Sequence, residues 1–169
     1  MGRIPSSCTV LMARGARPGA QVPFAPPPID EVVRAIRAER HGPPDQAMQV
    51  EVLPTWELDS HDVLVLVMAA GVNYNGVWAA LGKPISPIDV HKNPYHIAGS
   101  DASGIVYAVG AKVKRWKVGD EVVIHCNQDD GDDEECNGGD PMFSNSQRIW
   151  GYETPDGSFA QFTRVQARQ

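Results

Sequence analysis

The side chains that could bind a metal lie in the second half of the chain. Cys126 and Cys136 flank a polar stretch, and His125 stands directly before the first cysteine. Zinc is held by several cysteine, histidine or carboxylate ligands within tetrahedral reach. A Cys-Cys-His site is therefore one hypothesis, but so small a ligand set makes us expect no metal.

An acidic run, DDGDDEE at 129–135, separates the two cysteines and raises the alternative of calcium. An EF-hand loop needs acidic residues at alternate positions and a glycine in sixth place. Because the run does not keep that register, we interpret it as a solvated loop whose like charges repel one another. Neither G-x-G-x-x-G nor a phosphate-binding Gly-Lys-Ser/Thr occurs in the sequence, so no dinucleotide cradle is predicted.

Composition predicts one ordinary domain with a real core. The 169 residues are 42% hydrophobic and 21% charged, with a net charge of −6. A negative chain argues against nucleic acid as a partner, and no apolar run approaches the ~20 residues that cross a membrane. Three cysteines, Cys8 included, make no disulfide framework. We therefore expect the protein to be located in the cytoplasm.

The hydrophobic pattern predicts a mainly β domain with short helices and long loops. The segment 29–39 fits either a helix or a first strand. Residues 1–28, rich in Pro, Arg, Gly and Ala, are expected to form a disordered leader, so the domain spans 29–169. The other predicted elements are strands at 48–53, 62–68 (buried on both faces), 121–126 and 158–165, a short helix at 73–81, an irregular loop at 83–94 and a polar insertion at 128–146.

The stretch AGSDASGIVYAVGAKVKRWKVGDEVVI at 98–124 carries the most information. Gly104 and Gly110 interrupt apolar residues, a pattern that suits strands turning sharply in a small barrel, and Gly119-Asp120 predicts a turn before a strand. An unrelated all-β domain is the alternative from pattern alone. The ordered spacing resembles the signature of medium-chain dehydrogenases/reductases.

Three further segments make the resemblance more specific. They are VNYNGVW at 72–78, YHIAGSD at 95–101 and RIWGYET at 148–154. Together they resemble crotonyl-CoA carboxylase/reductases over about residues 40–169. The resemblance implies a GroES-like, partly open barrel, the catalytic domain, with the Rossmann domain that binds NADPH absent. It implies a truncated chain, and a homotetramer for the full-length protein.

The resemblance also implies the chemistry. Such enzymes use NADPH to reduce an enoyl-CoA, and the resulting enolate attacks CO2 to give a product such as ethylmalonyl-CoA. Zinc-dependent relatives place a cysteine where Asn73 stands and His-Glu where Ser100-Asp101 stand, so no catalytic zinc is implied. Two alternatives are an enoyl-CoA or quinone reductase that does not carboxylate, and a stand-alone barrel module that binds a partner.

By resemblance, three residues form the CO2 pocket. Asn75 would donate its amide to a CO2 oxygen, where negative charge grows. Tyr152 would line the pocket, where relatives often carry phenylalanine, and Glu153 would hold, through water, a histidine outside this chain. The alternatives are a helix N-cap for Asn75, a core aromatic for Tyr152 and a solvated loop acid for Glu153. The chain's own five histidines are given no such role.

Overall fold

The structure is a computed structural model that describes residues 33–37, 40–53 and 57–169. The strands are β1 Val33–Arg37, β2 Gln49–Glu51, β3 Asp62–Ala70, β4 Tyr95–Ile97, β5 Ala102–Val109, β6 Glu121–Ile124, β7 Asn127–Gln128, β8 Arg148–Ile149 and β9 Phe162–Gln166. The helices are α1 Pro44–Ala47, α2 Tyr74–Leu81 and α3 Pro87–His91, and Pro141–Phe143 forms a 3-10 turn.

Three antiparallel sheets carry the described part of the chain. The largest has the order β6-β5-β3-β9, and β2-β1-β4 and β7-β8 form the other two. In the large sheet Val65 of β3 lies opposite Val106 of β5 on one side and Thr163 of β9 on the other. The mainly β architecture predicted from the sequence is confirmed.

β3 is the central strand of the core. Its first five residues, Asp62 to Leu66, are buried, whereas Met68 is exposed. Val63 and Val65 pack with Val106 and the ring of Trp150 in the main hydrophobic cluster. The predicted strand is confirmed, but burial on both faces holds only for its first half, because the strand runs out of the core towards α2.

The sequence pattern suggested that Gly104 interrupts a strand, but it does not. β5 runs unbroken through it, and a Cβ there would lie 2.1 Å from the carbonyl oxygen of Leu66. β3 changes register on either side of this point, between Leu64 and Val65 and again between Val67 and Ala69. The glycine therefore allows two irregular strands to approach closely.

The segments around the short helices require two corrections. The predicted irregular loop at 83–94 contains α3, which Ser86 caps by accepting the N–H of Asp89 at 3.3 Å, with Pro87 in the first turn. Of the ambiguous segment 29–39, Val33–Arg37 is a strand, so the helical interpretation is wrong for those residues. The rest of that segment and the predicted leader 1–28 lie outside the described residues.

Among the described residues, no helix combines the length and the apolar character that a membrane span requires.

Candidate active site

A polar cluster lies where β3 gives way to α2 and β4 gives way to β5. Asn73 is its centre: its Oδ1 accepts the backbone N–H of Asn75 at 2.8 Å and caps α2. Its Nδ2 donates to Ser100 Oγ at 2.9 Å and also to Asp101 Oδ2. The three positions at which the resemblance places zinc ligands in other members are therefore together, and here they hold one another by hydrogen bonds.

Asn75 stands in the first turn of α2 and is half-buried. It is not the N-cap, because Asn73 fills that position; the capping interpretation of Asn75 is wrong. The side-chain Nδ2 of Asn75 instead points at Ser100 Oγ, 3.4 Å away. An amide nitrogen has two N–H groups, so one remains for another acceptor.

Tyr152 connects the loop after β8 to the segment after α2. Its ring packs against the cluster formed by Ala47, Ala79, Ala80 and Ala98. Its hydroxyl donates to the carbonyl oxygens of Lys83 and Ile85, each at 3.1 Å. Burial raises the pKa of the Tyr152 hydroxyl, and the backbone hydrogen bond to Ile85 partly opposes that rise. The phenol is therefore a fixed, neutral group.

Glu153 is half-buried and folds back onto its own loop. Its Oε2 accepts the backbone N–H of Ile149 at 2.8 Å, and its backbone N–H donates to the Ile149 carbonyl at 2.7 Å. The carboxylate is thus fixed in one direction rather than freely solvated.

Close backbone contacts bring these segments together. A Cβ on Gly151, which has φ +75°, would lie 1.9 Å from the carbonyl oxygen of Gly99, and a Cβ on Gly76 would lie 3.5 Å from the ring of Phe159. Gly99, directly before Ser100, therefore contacts Gly151, directly before Tyr152. Gly76, directly after Asn75, packs on the Phe159 ring, which lies in the same hydrophobic cluster as Tyr152. Asn75 and Tyr152 consequently share one neighbourhood.

His96 lies beneath the loop that carries Tyr152 and Glu153. Its ring is completely buried, has no hydrogen bond of good geometry, and stacks on His91 with centroids 5.5 Å apart. Burial lowers the pKa of His96 to about 3; the nearby His91 adds to the fall, and the backbone of Gly151 opposes it. His96 is therefore neutral and structural in this state.

The polar insertion is held by its own side chains and by an ion pair to the end of the chain. Asp133 accepts the N–H of Cys136 at 2.9 Å and the hydroxyl of Ser144 at 2.7 Å. Hydrogen bonds from the Cys136 thiol, the Ser144 hydroxyl and the Cys136 backbone lower the pKa of Asp133 to about 2. Asp129 pairs with Arg168 at 3.0 Å. Cys126 and Cys136 are free thiols. Within residues 40–53 and 57–169, no three His, Cys, Asp or Glu side chains are grouped to hold a metal ion.

This fold and the position of the polar cluster define a class. The chain belongs to the alcohol dehydrogenase GroES-like domain family, which it matches over residues 59–169. The prediction of a GroES-like domain is confirmed.

Comparisons with individual proteins are more specific. Over 151 residues the chain is 78% identical to the crotonyl-CoA carboxylase/reductase of Cereibacter sphaeroides, an alignment that covers 89% of this chain and 35% of that protein. A solved crotonyl-CoA carboxylase/reductase superposes with a TM-score of 0.79 at 77% identity, covering 83% of this chain and 33% of that one. The predicted resemblance to this group of enzymes is confirmed.

A third relative has been solved with its ligands. The 2-octenoyl-CoA carboxylase reductase CinF from Streptomyces sp., in complex with NADP and 2-octenoyl-CoA, is 35% identical with a TM-score of 0.78. The alignment covers 86% of this chain and 37% of that one. The chain thus spans about a third of the length of the relatives it matches.

Sequence reasoning singled out Asn75, Tyr152 and Glu153 but gave no role in the site to three neighbours. Asn73 and Ser100 were noted only as positions where zinc ligands are missing, and His96 was set aside with the other histidines. A signal for Asn73 was present, since asparagine before a helix is a favoured cap. No sequence signal marks a buried histidine that packs beneath a loop.

Proposed function

We propose that this chain supplies the CO2-binding part of an NADPH-dependent reductive carboxylase, which converts crotonyl-CoA and CO2 to ethylmalonyl-CoA. The observation that carries the proposal is the Asn75 amide: its nitrogen lies 3.4 Å from Ser100 Oγ and has a second N–H to donate. The 78% identity to the Cereibacter sphaeroides enzyme supports the same reaction.

The reaction requires a site that favours CO2 over a proton. When bound, NADPH supplies the hydride that adds to the β-carbon of the enoyl thioester, leaving an enolate at the α-carbon. The enolate carbon forms a bond to the carbon of CO2, and the electron pair of one C=O bond moves to oxygen to give a carboxylate. If water reaches the enolate first, a proton takes the same position and the saturated butyryl-CoA results.

The residues of this chain act on CO2. Asn75 donates an N–H to the oxygen on which charge grows, an interaction that strengthens as the carboxylate forms. The Tyr152 ring excludes water, and because its hydroxyl is tied to Lys83 and Ile85, it offers no loose proton to the enolate. Glu153 holds, through water, a histidine contributed by the rest of the enzyme.

The residues of this chain do not fit the cofactor. No glycine-rich phosphate cradle occurs in the sequence. We therefore place NADPH on the part of the enzyme that corresponds to the other two thirds of the relatives, with the enzyme assembled as a tetramer in the cytoplasm. The two free thiols, Cys126 and Cys136, agree with a reducing compartment.

The test uses the Cereibacter sphaeroides enzyme with its aligned 151 residues replaced by those of this chain. With crotonyl-CoA and NADPH, it should give ethylmalonyl-CoA when bicarbonate is present and butyryl-CoA when it is absent, measured by mass spectrometry. Asn75→Asp keeps the shape but loses the donor. Its ratio of butyryl-CoA to ethylmalonyl-CoA should rise by roughly 100- to 1,000-fold, the range for removing one oxyanion-hole donor.

The control is Asn145→Ala, which removes an exposed asparagine from the polar insertion. It should leave the product ratio unchanged. A chimaera that reduces crotonyl-CoA without ever fixing CO2 would favour the non-carboxylating reductase. One that neither reduces nor carboxylates, although the unaltered Cereibacter enzyme does, would favour the stand-alone binding module.

A further inference from the structure

We propose that Asp101 is a positioning residue for carboxylation: its carboxylate fixes the orientation of the Asn73 amide, and Asn73 in turn holds the main chain of Asn75. This inference rests on the proposed function and adds a residue that acts without contact to CO2. It follows from the contacts of Asn73. Its Oδ1 accepts the backbone N–H of Asn75 at 2.8 Å, and its Nδ2 donates to Ser100 Oγ at 2.9 Å and to Asp101 Oδ2.

Two neighbours of fixed polarity determine which way the Asn73 amide faces. A carboxylate only accepts hydrogen bonds, so the edge of the amide at Asp101 must be nitrogen. A backbone N–H only donates, so the edge at Asn75 must be oxygen. The Ser100 hydroxyl can donate or accept, so it favours neither orientation. If the amide turned over, its oxygen would face the carboxylate and its N–H groups would face an N–H, so both fixed neighbours favour the observed orientation.

The backbone holds Asp101 beside the segment that leads into α2. Asp101 lies directly before β5, whose first residue, Ala102, pairs with Ala70 at the end of β3. The next residue of the chain, Gly71, donates its N–H to the Asp101 carbonyl oxygen at 2.9 Å, and a Cβ on Gly71 would lie 2.9 Å from the Asp101 Cβ. The carboxylate is therefore carried by the large sheet, next to the two residues that precede Asn73.

The consequence concerns the first turn of α2. Without the carboxylate of Asp101, only the N–H of Asn75 still distinguishes the two orientations of the Asn73 amide, because Ser100 bonds to either edge. An amide that turns over releases the helix cap and frees the main chain of Asn75. The Asn75 side chain then meets a CO2 oxygen less often, and a proton reaches the enolate more often. The hydride transfer does not depend on this amide.

The test is Asp101→Asn in the same chimaera, because asparagine keeps the shape of the side chain but bonds to either edge of the Asn73 amide. The variant should raise the ratio of butyryl-CoA to ethylmalonyl-CoA by roughly three- to tenfold, the order by which a charge-assisted hydrogen bond exceeds a neutral one. It should also raise the KM for CO2, while kcat for reduction without bicarbonate stays within about twofold. The matched control, Glu121→Gln, neutralises an exposed acid of β6 and should change neither ratio nor KM.

A double variant tests whether Asp101 acts through Asn73. Asn73→Ala removes the cap and should itself raise the product ratio, and adding Asp101→Asn to it should change that ratio by less than about twofold. A further rise as large as that of the single variant would show that the charge of Asp101 acts by another route, and the inference would be wrong. If Asn73→Ala folds poorly, the ratio measured for Asp101→Asn alone decides.

The outcomes separate this inference from the proposed function. If Asn75→Asp shifts the product ratio but Asp101→Asn does not, the role of Asp101 is overturned and the CO2 site stands. If neither variant shifts the ratio, the proposed site itself fails. If Asp101→Asn shifts it and Asn75→Asp does not, both the site and the inference fail, because Asp101 is argued to act only on Asn75.

Discussion

The buried histidine beneath the Tyr152–Glu153 loop predicts how the stability of the fold depends on pH. His96 is fully buried, and burial lowers its pKa from 6.5 to about 3. Both the folded and the unfolded chain hold this ring neutral above pH 6.5. As the pH falls below 6.5, the unfolded chain takes up a proton that the folded chain refuses, so stability is lost down to about pH 3.

The size of the loss follows from the two pKa values. At pH 5 an unfolded histidine of pKa 6.5 is protonated, and this stabilises the unfolded chain by about 2 kcal/mol relative to pH 7.5. His91, whose pKa burial lowers to about 4, acts in the same direction. Replacing His96 by glutamine removes the contribution of His96 and leaves that of His91.

The measurement is urea unfolding of the 169-residue chain and of His96→Gln at pH 7.5 and pH 5. Between pH 7.5 and pH 5, the free energy of unfolding of His96→Gln should fall by about 2 kcal/mol less than that of the original chain, whatever the variant's stability at pH 7.5. Ile97→Val is the control: it removes a buried methyl group from the next position of β4 but no titratable group, so it should keep the original pH dependence. Equal pH dependence in His96→Gln and the original chain would refute the reasoning.

Two further predictions concern packing, and both are measured by the same urea unfolding. Gly104→Ala should lower the free energy of unfolding by about 1–3 kcal/mol or more, because its Cβ would overlap the Leu66 carbonyl. The control Gly42→Ala, whose Cβ would have no atom within 4 Å, should be nearly neutral. Equal effects of the two variants would contradict the close approach of β3 and β5. Trp150→Ala should cost about 3–5 kcal/mol, because the ring is buried in the main cluster. Val123→Ala, at a side chain 79% exposed, should stay within about 0.5 kcal/mol, and a small effect for Trp150 would show that the cluster does not hold the fold.

The sequence pattern was most informative where one physical effect dominates. The run DVLVLVM is a strand, and its apolar first half lies in the core, because burial decides both its conformation and its position. The pattern was less informative where two effects compete. The prolines at 84, 87 and 94 suggested an irregular loop, yet Pro87 behind the cap Ser86 begins α3, since proline at the start of a helix loses no hydrogen bond.

Close approaches between distant segments were not predictable from the sequence. Gly104 carries no signal that distinguishes a break in a strand from a contact with another strand, because the difference lies in Leu66, a residue far away in the sequence. The same holds for His96, whose low pKa arises from the loop packed over it. Local patterns describe the chain's own neighbours, and these features depend on contacts formed only in the fold.

The two asparagines before and within α2 show how one correction strengthens the candidate site. A capping asparagine uses its oxygen on the helix and has only its N–H groups left to donate, and those of Asn73 are already directed at Ser100 and Asp101. The fold assigns the cap to Asn73, and the capping bond runs to the backbone N–H of Asn75 itself. The hydrogen bond that caps the start of α2 therefore also fixes the main chain of Asn75, whose side-chain amide is left to donate. A change at Asn73 should consequently affect both the stability of α2 and the placement of Asn75, which no substitution of an isolated cap would do.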